Sequence, residues 1–359
     1  MHLLLLRDKR PGHFNQVEGL ALCIARLTDV EVRRIEVRRQ RFASRWVRSF
    51  VTKRFRHAPG YWLTRLYGID PAAVGAPDVV IGSGDSTIAA GILISRLTGA
   101  KFILSGLPKD HDRHSIALML APSPLMAGDP KCRFTPIPCK VDPDRLPSRK
   151  PIRTEADLAG ARLSLLVGGR ASGYEYREME WESLARLVLQ TRQRYDLRWS
   201  VSNSLRTPEF ASRLFEQLAL DGQLERFIDF HKSGPGSADD LFAADAIIVT
   251  EDSRSMMAEA MAARRPVIAM RPESVAFGLG TERVAATAAG GGLAVLPIAT
   301  ATPEQFARIL TSLPISPQDP RDLIAAAIAP TLHLELVAGM KTRAAQDHQR
   351  RSVLCRADS

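Results

Sequence analysis

No paired cysteine motif occurs in this sequence of 359 residues: Cys23, Cys132, Cys139 and Cys355 stand far apart, with no Cys-x-x-Cys among them. A disulfide framework or zinc knuckle is therefore excluded as the organising feature, and a reducing compartment fits. Long apolar runs are missing too. The opening Leu3–Leu6 run meets Arg7, Asp8 and Lys9 at once, too soon for a signal peptide, and no stretch approaches the ~18 apolar residues of a membrane span. The expectation is a cytoplasmic protein, or one peripheral to a membrane from its cytoplasmic face. No repeat of solenoid period is visible.

Acidic residues are scarce in one place only. Between residues 33 and 56 ten Arg or Lys face a single acid, Glu36, which accounts for nine of the ten net positive charges. The rest of the chain is near neutral, so a uniformly basic nucleic-acid coat is excluded. Aromatic residues are few, at 6%, yet Phe42, Trp46 and Phe50 recur every four residues there. Val47, Val51 and Phe55 flank them, and Arg41, Arg45, Arg48 and Lys53 take the other positions. This is an amphipathic helix. Its composition suits an anionic membrane surface through residues 38–62, with Tyr61 and Trp62 as headgroup anchors; an ordinary helix packed on a sheet has the same spacing. No nucleic-acid reader motif accompanies the patch, so no nucleic-acid partner is expected.

At 45% hydrophobic and 25% charged residues the chain can build cores, and its length suggests two domains. Leu3–Leu6, Asp78–Ile81 and Lys101–Leu104 read as strands, with helical spacing at Val17, Leu20, Ala21, Ile24 and Leu27 and again at Ile88, Ile92 and Leu93. Such alternation builds a parallel sheet. The proline-rich stretch from Val141 to Asp157 is the linker candidate. Beyond it, strands are expected at 163–167, 197–201, 226–230, 246–250, 267–270 and 293–296. Thr207-Pro208 and Thr302-Pro303 read as helix starts, each a capping residue followed by proline. The boundaries are a first domain over 1–145, a linker over 146–157, a second domain over 158–318, and a C-terminal helix with a polar tail over 319–359.

The segment Asp245–Glu259 is the most informative for chemistry. A strand ends near Thr250, a polar turn follows, and a helix opens near Ser253 or Ser255. Unpaired amides at such a start, with the positive end of the helix dipole, suit a diphosphate. Glu259 lies about 9 Å further along the helix axis, within reach of the ribose hydroxyls of the same nucleotide. It reads either as a ribose-binding carboxylate or as a solvated helix residue. Gly168, Gly169 and Arg170 follow a strand and would let amides approach a phosphate, or simply turn the chain. His13, near the start of the first helix, reads as a general base or a loop histidine. Asp85, after Gly82-Ser83-Gly84, reads as an orienting group for an acceptor hydroxyl or as a helix cap. Lys109–His114 has metal-like composition but no third ligand at suitable spacing, so a solvated loop and no metal are expected.

Four segments together resemble a known family. Arg10-Pro-Gly-His-Phe-Asn-Gln16, Leu166-Val-Gly-Gly169, Ser202-Asn-Ser-Leu-Arg-Thr-Pro208 and Val249-Thr-Glu-Asp-Ser-Arg-Ser-Met256 with Glu259 resemble the bacterial branch of the mitochondrial fission factor family. A more distant similarity is to the N-acetylglucosaminyltransferase acting on the peptidoglycan lipid intermediate. The resemblance implies a GT-B-like α/β fold, with two doubly wound Rossmann-type domains facing across a cleft. The first would face acceptor and membrane, and the second would bind the nucleotide-sugar.

It further implies metal-independent transfer of a sugar from a nucleotide-diphosphate donor, a UDP-sugar first, with no other cofactor. The acceptor would be a lipid-linked or envelope-glycan molecule. By this carry-over Ser253, Ser255 and Met256 hold the diphosphate, Glu259 takes the ribose, and Gly168, Gly169, Arg170, Arg206 and Glu251 complete the donor site. His13 becomes the preferred base, beside Asp85. The sequence departs from the family pattern at Pro122-Ser-Pro124, where an acidic-His pair is expected, and at Arg170-Ala-Ser-Gly173. Two other readings stay open: a non-catalytic membrane adaptor on the same fold, and a nucleotide-sugar epimerase.

Overall fold

A computed structural model describes residues 1–121, 128–171, 173–276, 278–315 and 318–336. Pro122-Ser-Pro124, Ser172 and the tail from 337 onward lie outside the described residues. The chain divides into two compact units: Met1–Lys140 joined by the segment that begins at Pro320, and Val141–Asp319.

The first unit runs β1 (His2–Arg7), α1 (Pro11–Ala25), β2 (Glu31–Glu36), α2 (Arg45–Arg54), α3 (Pro59–Tyr67), β3 (Val79–Ser83), α4 (Asp85–Thr98), β4 (Lys101–Ser105), β5 (Leu118–Ala121) and β6 (Cys132–Phe134). The strands form one parallel sheet in the order β2-β1-β3-β4-β5-β6. Helices cover both faces, which is why Leu3–Leu6 reads as a continuous apolar run rather than an alternating one. Leu4 and Leu6 face one core with Val80, Phe102, Val51, Leu63 and Ile88. Leu3 and Leu5 face the other with Ile81, Ile103, Leu20 and Ile24.

The amphipathic segment expected over 38–62 is two helices. Pro59 opens α3 after Ala58, which takes a left-handed conformation, so the run is broken where proline disfavours helix in the residue before it.

The second unit runs β7 (Arg162–Leu166), β8 (Tyr174–Glu175), α5 (Glu178–Tyr195), β9 (Arg198–Ser202), α6 (Glu209–Leu220), β10 (Arg226–Ile228), α7 (Phe230–Ser233), β11 (Ala246–Thr250), α8 (Arg254–Ala262), β12 (Val267–Arg271), β13 (Ser274–Val275), α9 (Leu279–Ala289), β14 (Leu293–Pro297) and α10 (Pro303–Ser312). Six strands form a parallel sheet in the order β10-β9-β7-β11-β12-β14, and β8 pairs antiparallel with β13. Trp181, Trp199, Phe215 and Phe306 fill its core.

Four details depart from the sequence reading. The strand expected over 226–230 stops at Ile228, because the Asp229 carboxylate accepts the His231 amide and starts α7. Helix α6 starts at Glu209 with Pro208 as its cap. The Thr207 hydroxyl donates instead to the carbonyls of Val167 and Gly168. Thr302 does cap α10, accepting the Gln305 amide.

The stretch 146–157 is no free tether. Ile152 joins the core of the second unit, the Lys150 amide donates to Asp245, and Arg265 donates to the Pro147 carbonyl. The C-terminal helix α11 (Pro320–Leu332) packs Ile324 and Ile328 on the first sheet, not the second. Lys101 caps it by donating to the Thr331 carbonyl, and Arg26 pairs with Asp322 at 2.7 Å.

Candidate functional site

Each sheet reverses its strand order at one point. In the first, β1 leads to β2 on one side and has β3 on the other; in the second, β7 lies between β9 and β11. Loops leaving the carboxyl ends of such strand pairs are where open α/β sheets bind ligands. The loops after β1, β3, β7 and β11 carry His13, Asp85, Gly168–Arg170 and Glu251–Met256.

In the first unit, His13 is the third residue of α1. Its Nδ1 lies 2.8 Å from Asp8 Oδ2, and Asp8 Oδ1 accepts the Arg10 amide at 3.0 Å. An ionised carboxylate only accepts, so the His13 Nδ1–H donates to Asp8. The imidazole edge lies against the backbone of Gly84. A Cβ there would sit 2.2 Å from the ring, and the residue has φ +81°, so only glycine fits. Gln16 Oε1 accepts the hydroxyls of Ser83 and Ser105 at 2.9 and 2.8 Å, tying the ends of β3 and β4 to α1.

Asp85 opens α4 and is braced by basic side chains. Arg48 donates to its carboxylate at 2.6 Å and to its carbonyl at 2.7 Å, and Arg45 and Lys109 lie at 3.8 and 3.6 Å. Burial raises the Asp85 carboxyl, but the hydrogen bond and charge of Arg48 bring it below the ordinary range. Arg48 is therefore no solvated cation of the amphipathic helix; it is 2% exposed.

The segment 109–114 is solvated at Lys109, Asp110, Arg113 and His114, as expected, but not at its centre. His111 is 3% exposed, with Nδ1 3.3 Å from Thr52 Oγ1. Burial first, and then the charge of Arg48, push its pKa down to about 4. Asp112 is likewise buried, paired with Arg96 at 2.7 Å.

In the second unit, three loops are knotted around Asp252. Its carboxylate accepts the Gly169 amide at 3.1 Å and the Tyr176 hydroxyl at 3.2 Å, and pairs with Arg206 at 3.0 Å. Burial raises this carboxyl against those donors, and it drives the Tyr176 hydroxyl up as well. Gly168 donates to Thr250 Oγ1 at 2.7 Å. The two glycine amides expected to meet a phosphate are thus engaged within the protein. The glycines are required instead by close approach: a Cβ on Gly168 would lie 2.5 Å from the Asp252 carboxylate, and one on Gly169 would strike the Arg206 carbonyl. Arg206 is half exposed over the knot, and Arg170 is exposed beside it.

Glu251 turns inward. Arg271 engages both of its oxygens, at 2.5 and 2.8 Å, and the Tyr174 hydroxyl donates at 3.1 Å, so it anchors the turn and is not presented to a ligand. Ser253 caps α8, but its side chain makes no capping hydrogen bond. The first backbone bond in this turn runs from the Met257 amide to the Ser253 carbonyl. The amides of Arg254, Ser255 and Met256 consequently lack acceptors in the helix. Ser255 and Met256 are half-buried at this start. Glu259, one turn and a half further on, is not a solvated helix residue: it is 9% exposed. Among the described residues no three His, Cys, Asp or Glu side chains converge in a manner that could hold a metal ion.

The family model for mitochondrial fission ELM1 proteins matches residues 11–287, a span that contains three of the four sequence segments whole and the first from Pro11 onward. The chain belongs to this family. A search among curated proteins found no match.

Solved structures give this family member its fold. UDP-GlcNAc 2-epimerase of Methanocaldococcus jannaschii is 14% identical with a TM-score of 0.56, over 93% of this chain and 100% of that one. The Neisseria meningitidis UDP-GlcNAc 2-epimerase is 13% identical with a TM-score of 0.51, over 93% and 100%. The ADP-heptose lipopolysaccharide heptosyltransferase II of E. coli is 12% identical with a TM-score of 0.50, over 87% and 98%. The fold is the GT-B type, built of two parallel-sheet Rossmann-like domains.

Sequence reasoning missed Asp8, Gln16, Asp252, Tyr174, Tyr176 and Arg271. Asp252 lies inside the Val249–Met256 segment, and a buried-polar reading of that turn was its only signal. The partners of Glu251 and Asp252 come from loops some 20 to 80 residues away in the chain, beyond any local spacing rule.

Proposed function

We propose that this protein is a glycosyltransferase that takes a sugar from a nucleotide-diphosphate donor, a UDP-sugar in the first instance, to a membrane-associated lipid or envelope-glycan acceptor. The observation that carries the reading is the start of α8. It lies at the strand-order reversal of the second sheet, its cap side chain is unused, and three successive amides lack helical acceptors. A diphosphate there meets fixed dipoles at the point where negative charge develops on the leaving group, which stabilises departure without a metal. Arg206 and Arg170 add positive charge beside it, and Glu259 accepts the ribose hydroxyls.

The engaged amides of Gly168 and Gly169 shape this end rather than bind. Asp252 fixes both flanking loops, so the site is held before a ligand arrives. In the first unit His13, with its tautomer set by Asp8, removes the proton of the acceptor hydroxyl as the new bond forms. Inversion at the anomeric carbon follows from such a single displacement.

The test is a titration of UDP, ADP and GDP by calorimetry, with Glu259→Ala and Glu259→Gln alongside. Wild type is expected to bind one of them saturably, and Glu259→Ala to weaken that binding at least about tenfold through loss of charged hydrogen bonds. Absence of saturable binding to all three would remove the proposal. Consumption of the sugar donor without any acceptor would favour epimerisation on the same fold.

A further inference from the structure

Tyr67 lies in one core of the first unit and Trp62 packs against it, but neither core accounts for the other aromatic side chains of this region. Trp46 is 80% exposed, and Phe42, Phe50, Phe55 and Tyr61 are exposed too. They are not scattered. Phe50 meets Phe55 edge-on at 5.8 Å between ring centroids, Phe55 lies 4.9 Å from Trp62, and Trp62 lies 5.2 Å from Tyr61. A continuous band runs from α2 across the break into α3, with Trp46 one turn before Phe50 on the same helix face. A contiguous exposed apolar patch of this kind marks an interaction surface.

Charge selects the partner. From Val37 to Ile69 the sequence holds no Asp or Glu. Arg38, Arg45 and Arg48 find acids elsewhere, in Glu36, Asp110 and Asp85. Arg39, Arg41, Lys53, Arg54 and Arg56 are exposed and have no acidic partner among the described residues. An aromatic band edged by unpaired cations complements a surface that is anionic at its face and apolar just beneath. A second copy of the chain docking through the same patch would set like charges against each other.

We infer that the α2–α3 face docks on an anionic phospholipid bilayer, with Trp46, Phe50 and Tyr61 at headgroup depth and the unpaired cations on lipid phosphates. Helix α2 has a second task on its other side. Arg48 points inward and holds Asp85 at the start of α4, next to the Gly84 backbone that carries the His13 ring. The lipid-facing helix is thus braced to the His13 end of its own sheet. Lipid docking stands without the transfer reading; only its consequence, an acceptor arriving from the bilayer beside His13, rests on it.

The experiment uses the full chain with vesicles of phosphatidylglycerol and phosphatidylcholine, or of phosphatidylcholine alone, in flotation and tryptophan-emission assays. Wild type is expected to bind the anionic vesicles with a blue-shifted emission, and to release as salt screens the cations. The double variant Trp46→Ser/Phe50→Ser should lose at least about tenfold in partitioning, because two aromatic burials disappear. Its melting temperature should not fall, since both residues are exposed. Arg39→Gln/Lys53→Gln/Arg54→Gln should reduce the preference for anionic over neutral lipid.

No binding by wild type, binding indifferent to lipid charge, or wild-type partitioning by Trp46→Ser/Phe50→Ser would each overturn the inference. So would a wild-type dimer that becomes monomeric in that variant, which would make a second copy the occupant. Nucleotide titration of the same samples separates the two claims: lipid binding without UDP binding keeps this surface and removes the transfer reading.

Discussion

Acidification should destabilise the first unit through one buried imidazole. His111 sits behind α2 with Thr52 on its Nδ1, and Arg48, Asp85, Arg45 and Asp110 around it. Its pKa is down to about 4 from 6.5. Between those values the unfolded chain binds a proton that the folded chain refuses, so stability rises with pH across the window and is lost as pH falls. A fall from 6.5 to about 4 corresponds to about 3 kcal/mol of stability lost between pH 7 and pH 4. About half of that is already gone at pH 5.5.

The neighbouring carboxyls act elsewhere on the scale. Asp85 and Asp112 are lowered, so their contribution is present above the unfolded carboxylate value and is lost only as pH drops through their folded values, below the histidine window. Urea unfolding followed by pulsed hydrogen exchange of peptides from β3, β4 and β5 localises the reading to this unit. His111→Gln should flatten the dependence between pH 4 and 6.5 and leave the steeper acid limb below it. An unchanged slope in His111→Gln would refute the burial argument.

Two further outcomes follow from the site geometry. Gly84→Ala should cost roughly 1–3 kcal/mol from its positive φ and displace His13, abolishing transfer while leaving UDP affinity, a property of the second unit, unchanged; a weakened UDP isotherm would contradict this. Arg271→Ala should destabilise the second unit by roughly 3–5 kcal/mol, because it leaves Glu251 buried without its cation, whereas Arg271→Met with Glu251→Met should recover most of that loss in a thermal melt.

The strands were legible because both sheets are covered on both faces. Runs such as Val79–Ile81 and Ala246–Val249 must be apolar without alternation, and their short length and β-branched content separate them from buried helix. Boundaries failed where a side chain found a better partner than its local role. Thr207 has the composition of a helix cap, but two carbonyls of the loop after β7 lie within its reach, and the hydroxyl goes there. The segment 146–157 looks like a linker by composition, since proline and charge do not betray that Ile152 enters a core or that Asp245 collects the amides of Lys150 and Arg162.

The site was half legible, and the division has a physical cause. His13 and Ser253 lie at helix starts, which residues a few positions apart define, so spacing alone places them there, and Glu259 follows as the sixth residue of α8. Glu251 and Asp252 look identical to ligands in sequence: acids in a turn before a helix. What spacing cannot show is which long-range donors reach them. Arg271 and Tyr174 claim Glu251; Arg206, Tyr176 and the Gly169 amide claim Asp252. On the proposed reading an acid facing the open start of α8 would repel a diphosphate, so an inward orientation of both carboxylates suits that reading. Both acids turn inward, and Arg206 pairs with the buried carboxylate of Asp252. In the first unit Arg48 likewise engages Asp85, while the Cε1–Nδ1 edge of the His13 ring lies against Gly84.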